Sequence, residues 1–88
     1  MTGRTATDRP RFGATIDYQA DLHYRAAQQH EEAAIRHDKS AAFWRSKDNM
    51  EQACFEERNA RIERDAAQLE RDRGAYLKRE RADTGPDG

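Results

Sequence analysis

Residues 20–44 read ADLHYRAAQQHEEAAIRHDKSAAFW, and in this stretch the pattern Ala-Ala-x-x-His recurs every seven residues. A strict seven-residue period places the alanines and the histidines along one narrow stripe of an α-helix. No glycine or proline interrupts residues 17–44. The pattern therefore predicts a first helix over residues 17–45.

The composition indicates helices with a small apolar core. Of the 88 residues, fifteen are alanine, nine are leucine, isoleucine or phenylalanine, and none is valine. Sixteen basic residues nearly balance seventeen acidic ones, so the high net charge typical of disordered chains is missing. Alanine, glutamate, arginine and glutamine all favour helix. We expect one small domain of extended helices that a partner helps to stabilise.

Charge, cysteine content and hydropathy narrow the class of protein. A net charge of −1 disfavours a dedicated nucleic-acid surface, which usually carries a basic excess. The single cysteine, Cys54, has no partner for an internal disulfide, which favours a reducing compartment. No apolar run is long enough for a signal peptide or a membrane span. The expected location is cytoplasmic, with neither a membrane nor a nucleic-acid partner.

A turn is predicted at residues 46–49, Ser-Lys-Asp-Asn, the only cluster of turn-forming residues in the middle of the chain. Asp48 or Asn49 is the expected N-cap of a second helix over 50–81, and Thr15 or Asp17 that of the first. Residues 1–14 and 82–88 are expected to be flexible tails. The predicted fold class is all-α, a helical hairpin of two long antiparallel helices completed by oligomerisation. One continuous helix of about 60 residues is the alternative, because no glycine or proline forces the turn.

Two kinds of stripe suggest how the helices pack. The second helix carries a bulky stripe and, on another side, a stripe of small residues, and the first helix carries a small stripe. We expect the large side chains of one helix to pack against the alanines of the other, leaving the second small stripe free for a partner. The predicted core and interaction residues are Ala27, Ala34, Ala41, Trp44, Phe55, Ile62, Leu69 and Tyr76.

The histidine stripe is the main candidate for chemistry. His23, His30 and His37 are seven residues apart, about 10 Å along the helix, which is too far for one metal ion to bind two of them. They become candidate metal ligands only if carboxylates of the second helix complete sites across the interface; the candidates are Glu56, Glu57, Glu63 and Glu70. Because imidazole titrates near neutrality, the stripe alternatively suggests pH-sensitive association.

Catalytic motifs are missing from the sequence. It contains no Gly-x-Ser-x-Gly, no glycine-rich phosphate loop and no His-Glu-x-x-His, since the segment 30–34 lacks the second histidine. Cys54 is interpreted as a small packing residue. We expect a protein that is not an enzyme, with no cofactor and no small-molecule substrate. The expected function is protein–protein interaction or scaffolding, through self-association or a helical partner.

The heptads of residues 20–73 resemble those of small bacterial proteins in which an Ala-Ala-x-x-His helix is followed by a turn and a returning helix rich in alanine, arginine and glutamate. That resemblance implies a helical hairpin and no particular activity. A second resemblance is to the WXG100 proteins of type VII secretion, which are helical hairpins that pair with a partner. It rests on Trp44-Arg45-Ser46 near the turn, where Ser46 replaces the family's glycine, and on Tyr76 followed four residues later by Glu80. It implies an exported heterodimer.

Overall fold

The computed structural model describes the backbone of residues 12–84 and the side chains of residues 15–82. This part of the chain forms two antiparallel α-helices, α1 (Phe12–Ser46) and α2 (Met50–Thr84), joined by residues 47–49. The predicted all-α helical hairpin is confirmed, and the alternative of one continuous helix is wrong.

The helices extend beyond their predicted ends. Because α1 begins at Phe12, Thr15 and Asp17 lie inside the helix and cannot be its N-cap, and residues 12–14 are not a tail. Ile16 gives the physical reason, since its side chain is buried against the hairpin and anchors an additional turn. At the other end α2 includes residues 82–84. The rest of the two predicted tails, residues 1–11 and 85–88, lies outside the described residues.

The turn is stabilised by backbone hydrogen bonds and a side-chain cap. The Trp44 carbonyl accepts hydrogen bonds from the amides of Lys47 (3.1 Å) and Asn49 (2.9 Å). Asp48 has φ of 59°, a left-handed conformation that aspartate adopts more readily than most residues. The Oδ1 atom of Asn49 accepts a hydrogen bond from the amide of Gln52 at 3.1 Å. Asn49 is therefore the N-cap of α2, one of the two predicted caps.

Small residues from both helices form the interhelical interface. Among residues 15–82, each buried apolar side chain other than Ile16 is an alanine, and Gly74 is buried with them; the alanines are Ala20, Ala27, Ala34, Ala41, Ala53, Ala60 and Ala67. The Tyr24 ring covers Gly74 so closely that a Cβ atom there would lie 2.8 Å from the ring Cζ. The two backbones thus approach each other across single methyl groups and one glycine.

This packing differs from the predicted one. The large residues of α2 do not lie against the alanines of α1, and the small stripe of α2 is not free, because it faces the small stripe of α1. Ala27, Ala34 and Ala41 are buried, whereas Phe55, Ile62, Leu69 and Tyr76 each expose about half of their surface. Contact between the two small stripes has a physical advantage, since it brings side chains flanking both stripes within hydrogen-bonding distance across the interface.

Replacing a buried alanine by leucine should push the helices apart. We expect Ala34→Leu to lower the free energy of unfolding by about 1–3 kcal/mol, because a fully buried methyl group leaves no room for an isobutyl group. Thermal unfolding followed by circular dichroism measures this loss. Ala42→Leu is the matched control, because Ala42 is exposed on the same helix and should change stability by less than about 0.5 kcal/mol. Equal effects of the two variants would contradict the alanine interface.

Candidate functional site

Three histidine–glutamate pairs connect the helices beside the alanine interface. The Nδ1 atoms of His23, His30 and His37 lie 2.6 Å from the Oε1 atoms of Glu70, Glu63 and Glu56 respectively. Since an ionised carboxylate only accepts hydrogen bonds, each Nδ1–H donates to its glutamate. Each step of seven residues forward in α1 is a step of seven backward in α2, so the pairs fix one register. We call these contacts the His–Glu pairs.

This register shows which residues of α1 and α2 lie at the same height along the long axis of the hairpin, which we call the level of a residue. It places Ala27 beside Ala67, Ala34 beside Ala60 and Ala41 beside Ala53, as expected for two helices with equal rise per residue. Gly74 falls beside Ala20 at the open end of the hairpin. The pairs are partly exposed, with side-chain accessibilities of 31–37% for the histidines and 18–27% for the glutamates.

The His–Glu pairs bear on the candidate metal ligands. Glu56, Glu63 and Glu70 do meet the histidines across the interface, whereas Glu57 forms an ion pair with Arg45 instead. Each pair offers two ligating groups. Among the described residues, no group of three or more histidine, cysteine, aspartate or glutamate side chains is placed to hold a metal ion. A metal at any of these pairs would need additional ligands from water or from another molecule.

One broad side of the hairpin carries ion pairs between the helices. Arg64 bonds to Asp38, Arg71 to Glu31 at 2.8 Å, and Arg81 to Asp17 at 3.0 Å. The hydrogen bond from Arg64 holds the pKa of the Asp38 carboxyl below its usual range. We call this side the charged face; its members are Asp17, Glu31, Asp38, Arg45, Glu57, Arg64, Arg71, Lys78 and Arg81. These side chains are roughly half exposed, so each pair contributes little to stability.

The opposite broad side carries six large exposed apolar residues. They occur two positions after a buried alanine or glycine, as in Ala60 and Ile62, although Gln29 and Arg36 take two of these positions in α1. The charged face uses positions four after the buried residue, as in Arg64. At 100° per residue these positions point to opposite sides of the plane that contains both helices. We call this side the apolar face; its large members, each 43–64% exposed, are Leu22, Phe43, Phe55, Ile62, Leu69 and Tyr76.

Small side chains lie between the large ones of the apolar face. Ala26, Ala33, Ser40 and Ala66 each come one position before a buried alanine, and they are half-buried. At the open end of the hairpin the face contains an open cleft of about 400 Å³, lined by Gln19, Leu22, His23, Arg73, Tyr76 and Leu77. The lining shows that His23 lies on the apolar face. The paired histidines and glutamates come three positions after a buried alanine, which places them between the large rows of the two helices. The face is therefore a ridged surface with a polar layer along its middle.

The remaining residues singled out from the sequence lie in different places. Trp44 is at the end of α1 near the turn, half-buried, with its ring 5.1 Å from that of Phe43 in an edge-to-face arrangement. Cys54 is exposed on the side away from the apolar face. The exposure of the bulky stripe of α2 as a face of the hairpin was not predicted. The available signal was the matching seven-residue period of the histidines and of Glu56, Glu63 and Glu70.

Comparison with known proteins gives no relative: no family model matches the chain, and no curated protein or solved structure matches it significantly. Within the described residues, neither helix has the length and apolarity that crossing a membrane requires.

The His–Glu pairs predict that the triple variant His23→Ala, His30→Ala and His37→Ala is less stable than the native chain. Each substitution removes the hydrogen-bond donor of a half-buried glutamate. Three partly exposed pairs at about 0.5 kcal/mol each should lower the melting temperature by several degrees. Circular dichroism melts measure the shift.

The matched control is a second triple variant, His23→Gln, His30→Gln and His37→Gln. Glutamine retains a hydrogen-bond donor for each glutamate, so this variant should keep most of the stability that the alanine variant loses. Other charges near the pairs are Arg73, 3.6 Å from Glu70, and Asp38, next to His37, and both remain in the two variants. Equal melting temperatures for the native chain and the alanine variant would contradict the prediction.

Proposed function

We propose that this protein is a non-enzymatic, cytoplasmic interaction or scaffolding module that self-associates or binds a helical partner through its apolar face. The observation that carries the proposal is the alignment of six large, half-exposed apolar side chains on one side of the hairpin. Single exposed apolar residues are ordinary, but several large ones together on one side of a small protein mark an interaction site. The His–Glu pairs lie between the two rows of these side chains.

The spacing of the apolar face favours a helical partner. Phe55, Ile62, Leu69 and Tyr76 follow one another at about 10 Å, and half-buried small residues lie between the two rows of large ones. An α-helix presents side chains with the same repeat, so its large residues fit between these ridges. The function that this geometry supports best is therefore helix packing and not the binding of a compact ligand.

The energetics of the hairpin also favour association. Each buried alanine methyl contributes on the order of 0.8 kcal/mol, compared with about 1.5–3 kcal/mol for a buried leucine or phenylalanine. The exposed ion pairs of the charged face add little, because solvent and salt screen them. The largest apolar side chains are thus still available for burial. Covering them with a partner would stabilise the fold and the complex together.

A second candidate function is a metal- or pH-responsive helical module, which the three His–Glu pairs favour. In this alternative the pairs respond to protonation or to a divalent metal, and the hairpin or its complex responds with them. Comparing the melting temperatures at pH 5.5 and pH 8 tests the pH response. Melting with and without zinc tests the metal response, since a bound ion raises the melting temperature.

Replacing Ile62 by aspartate should abolish association and leave the hairpin folded. Ile62 is 64% exposed, so the charge is solvated in the free hairpin but desolvated in a complex through the apolar face. We expect affinity for the partner, or for another copy, to fall at least tenfold, about 1.4 kcal/mol or more. Light scattering measures self-association, and circular dichroism checks the fold.

Ile35→Asp is the matched control. Ile35 is a half-exposed isoleucine that directly follows the buried Ala34, which places it on the other broad side of the hairpin. It should leave association unchanged. If both variants weaken association equally, or neither does, then the apolar face is not the binding surface. Loss of helicity in the Ile62→Asp variant alone would show that Ile62 supports the hairpin itself.

A further inference from the structure

We infer that the apolar face binds a second copy of the same chain, with a two-fold axis along the length of the hairpin. The product is a four-helix bundle in which both turns lie at one end and α1 of each copy lies over α2 of the other. This inference rests on the proposed function and names its partner.

Size complementarity at similar levels is the first argument. By the register of the His–Glu pairs, Phe55, Ile62 and Leu69 of α2 lie within about 3 Å, two residues' rise, of the levels of Ser40, Ala33 and Ala26 of α1. Each of these large side chains thus lies within about half a helical turn of the level of a small, half-buried residue of the other helix.

Symmetry turns this internal match into a match between copies. Rotation about an axis parallel to the hairpin changes no residue's level, and it brings α1 of one copy over α2 of the other. Ile62 of each copy then faces Ala33 of the other, and Leu69 faces Ala26. A closed two-fold dimer forms each contact twice, so the surface must be complementary to itself, as it is at Phe55, Ile62 and Leu69.

The other face-to-face arrangement lacks this complementarity. A two-fold axis across the hairpin would place α2 against α2 and α1 against α1, with the turns at opposite ends. The large row Phe55, Ile62, Leu69 and Tyr76 would then meet an identical large row. The small residues Ala26 and Ala33 would meet small residues, so one pair of helices would be held apart and the other left with a gap.

The extent of the face is sufficient for a dimer. From Leu22 to Phe43 the face is about 32 Å long, and two adjacent helices are about 18–20 Å wide. One copy therefore contributes about 600 Å², and the dimer buries about 1,200 Å² in total. This value lies at the lower end of the range for specific protein complexes. A second hairpin of equal length covers the face from end to end.

The distribution of charge agrees with this occupant. In such a dimer both charged faces point outwards, and their ion pairs remain in solvent. The glutamates beside the apolar face already accept hydrogen bonds from histidines, which lowers the cost of covering them. Arg36 and Gln29 occupy the outer row of α1, from which their long stems reach solvent at the edge of the bundle.

A spin label on the native Cys54 tests the arrangement, because this exposed residue lies near the turn and away from the apolar face. Turns at the same end place the two labels about 25 Å apart, whereas turns at opposite ends place them about 40 Å apart. Pulsed electron double resonance on the full chain measures the distance, and light scattering measures the mass. A dimer with the shorter distance is the expected result, and a dimer with the longer one would overturn the arrangement.

Complementary variants test the contact between copies directly. Ala33→Leu should crowd Ile62 of the other copy, and Ile62→Ala should leave a cavity beside Ala33, so each homodimer should dissociate about tenfold more readily. Mixing the two variants gives a heterodimer in which the introduced leucine faces the introduced alanine at one contact, while the other contact is native. We expect it to form in preference to either homodimer in native mass spectrometry. Statistical mixing would overturn the assigned contact.

Failure of this inference differs from failure of the proposed function. A folded monomer over a hundredfold range of concentration would overturn the inference of a second copy. The proposed function would then be tested by affinity capture, with the native chain, Ile62→Asp and Ile35→Asp as baits. It survives if the native and Ile35→Asp baits retain a helical protein that Ile62→Asp loses, and it fails if all three behave alike.

Discussion

The close contact between the two alanine stripes is the constraint on which the rest of the structure depends. Over most of the hairpin, single methyl groups separate the helices and leave no room for a large side chain, whereas near the open end Ile16 is buried and the Tyr24 ring covers Gly74. At this separation, side chains that flank the stripes reach across the interface. The His–Glu pairs and the ion pairs of the charged face are formed in this way, and they fix the register that the nearly uniform alanines leave undetermined.

The same constraint places the large apolar residues on the surface. Because Phe55, Ile62 and Leu69 are excluded from the interface and the charged face occupies one broad side, they lie on the other. The hairpin therefore has a small, specific internal contact and a larger apolar surface outside it. In most small domains the large side chains form the core and the small ones lie at its margin. This inversion is the physical basis for proposing an interaction module.

Much of the fold could be predicted from the sequence, but the packing could not. The heptad period and the turn residues 46–49 predicted two helices, and Asn49 was one of two expected caps. Two small stripes and one large stripe with the same period can be paired in more than one way, and period alone does not choose between them. The choice depends on which polar partners meet, as His30 meets Glu63. The start of α1 was missed because the burial of Ile16 outweighs the weak helix propensity of its neighbours.

The two polar layers differ in how a partner would meet them. The hydrogen bond from Arg64 lowers the pKa of Asp38, so that ion pair persists below the usual range of a carboxyl and is lost only as pH falls through the lowered value. The charged face to which it belongs lies away from the large apolar residues, so a partner on the apolar face leaves it in solvent. The His–Glu pairs lie on the apolar side, and His23 lines the cleft there. A partner that covers this face therefore also covers the contacts that fix the register of the hairpin, so binding and the stability of the register are linked.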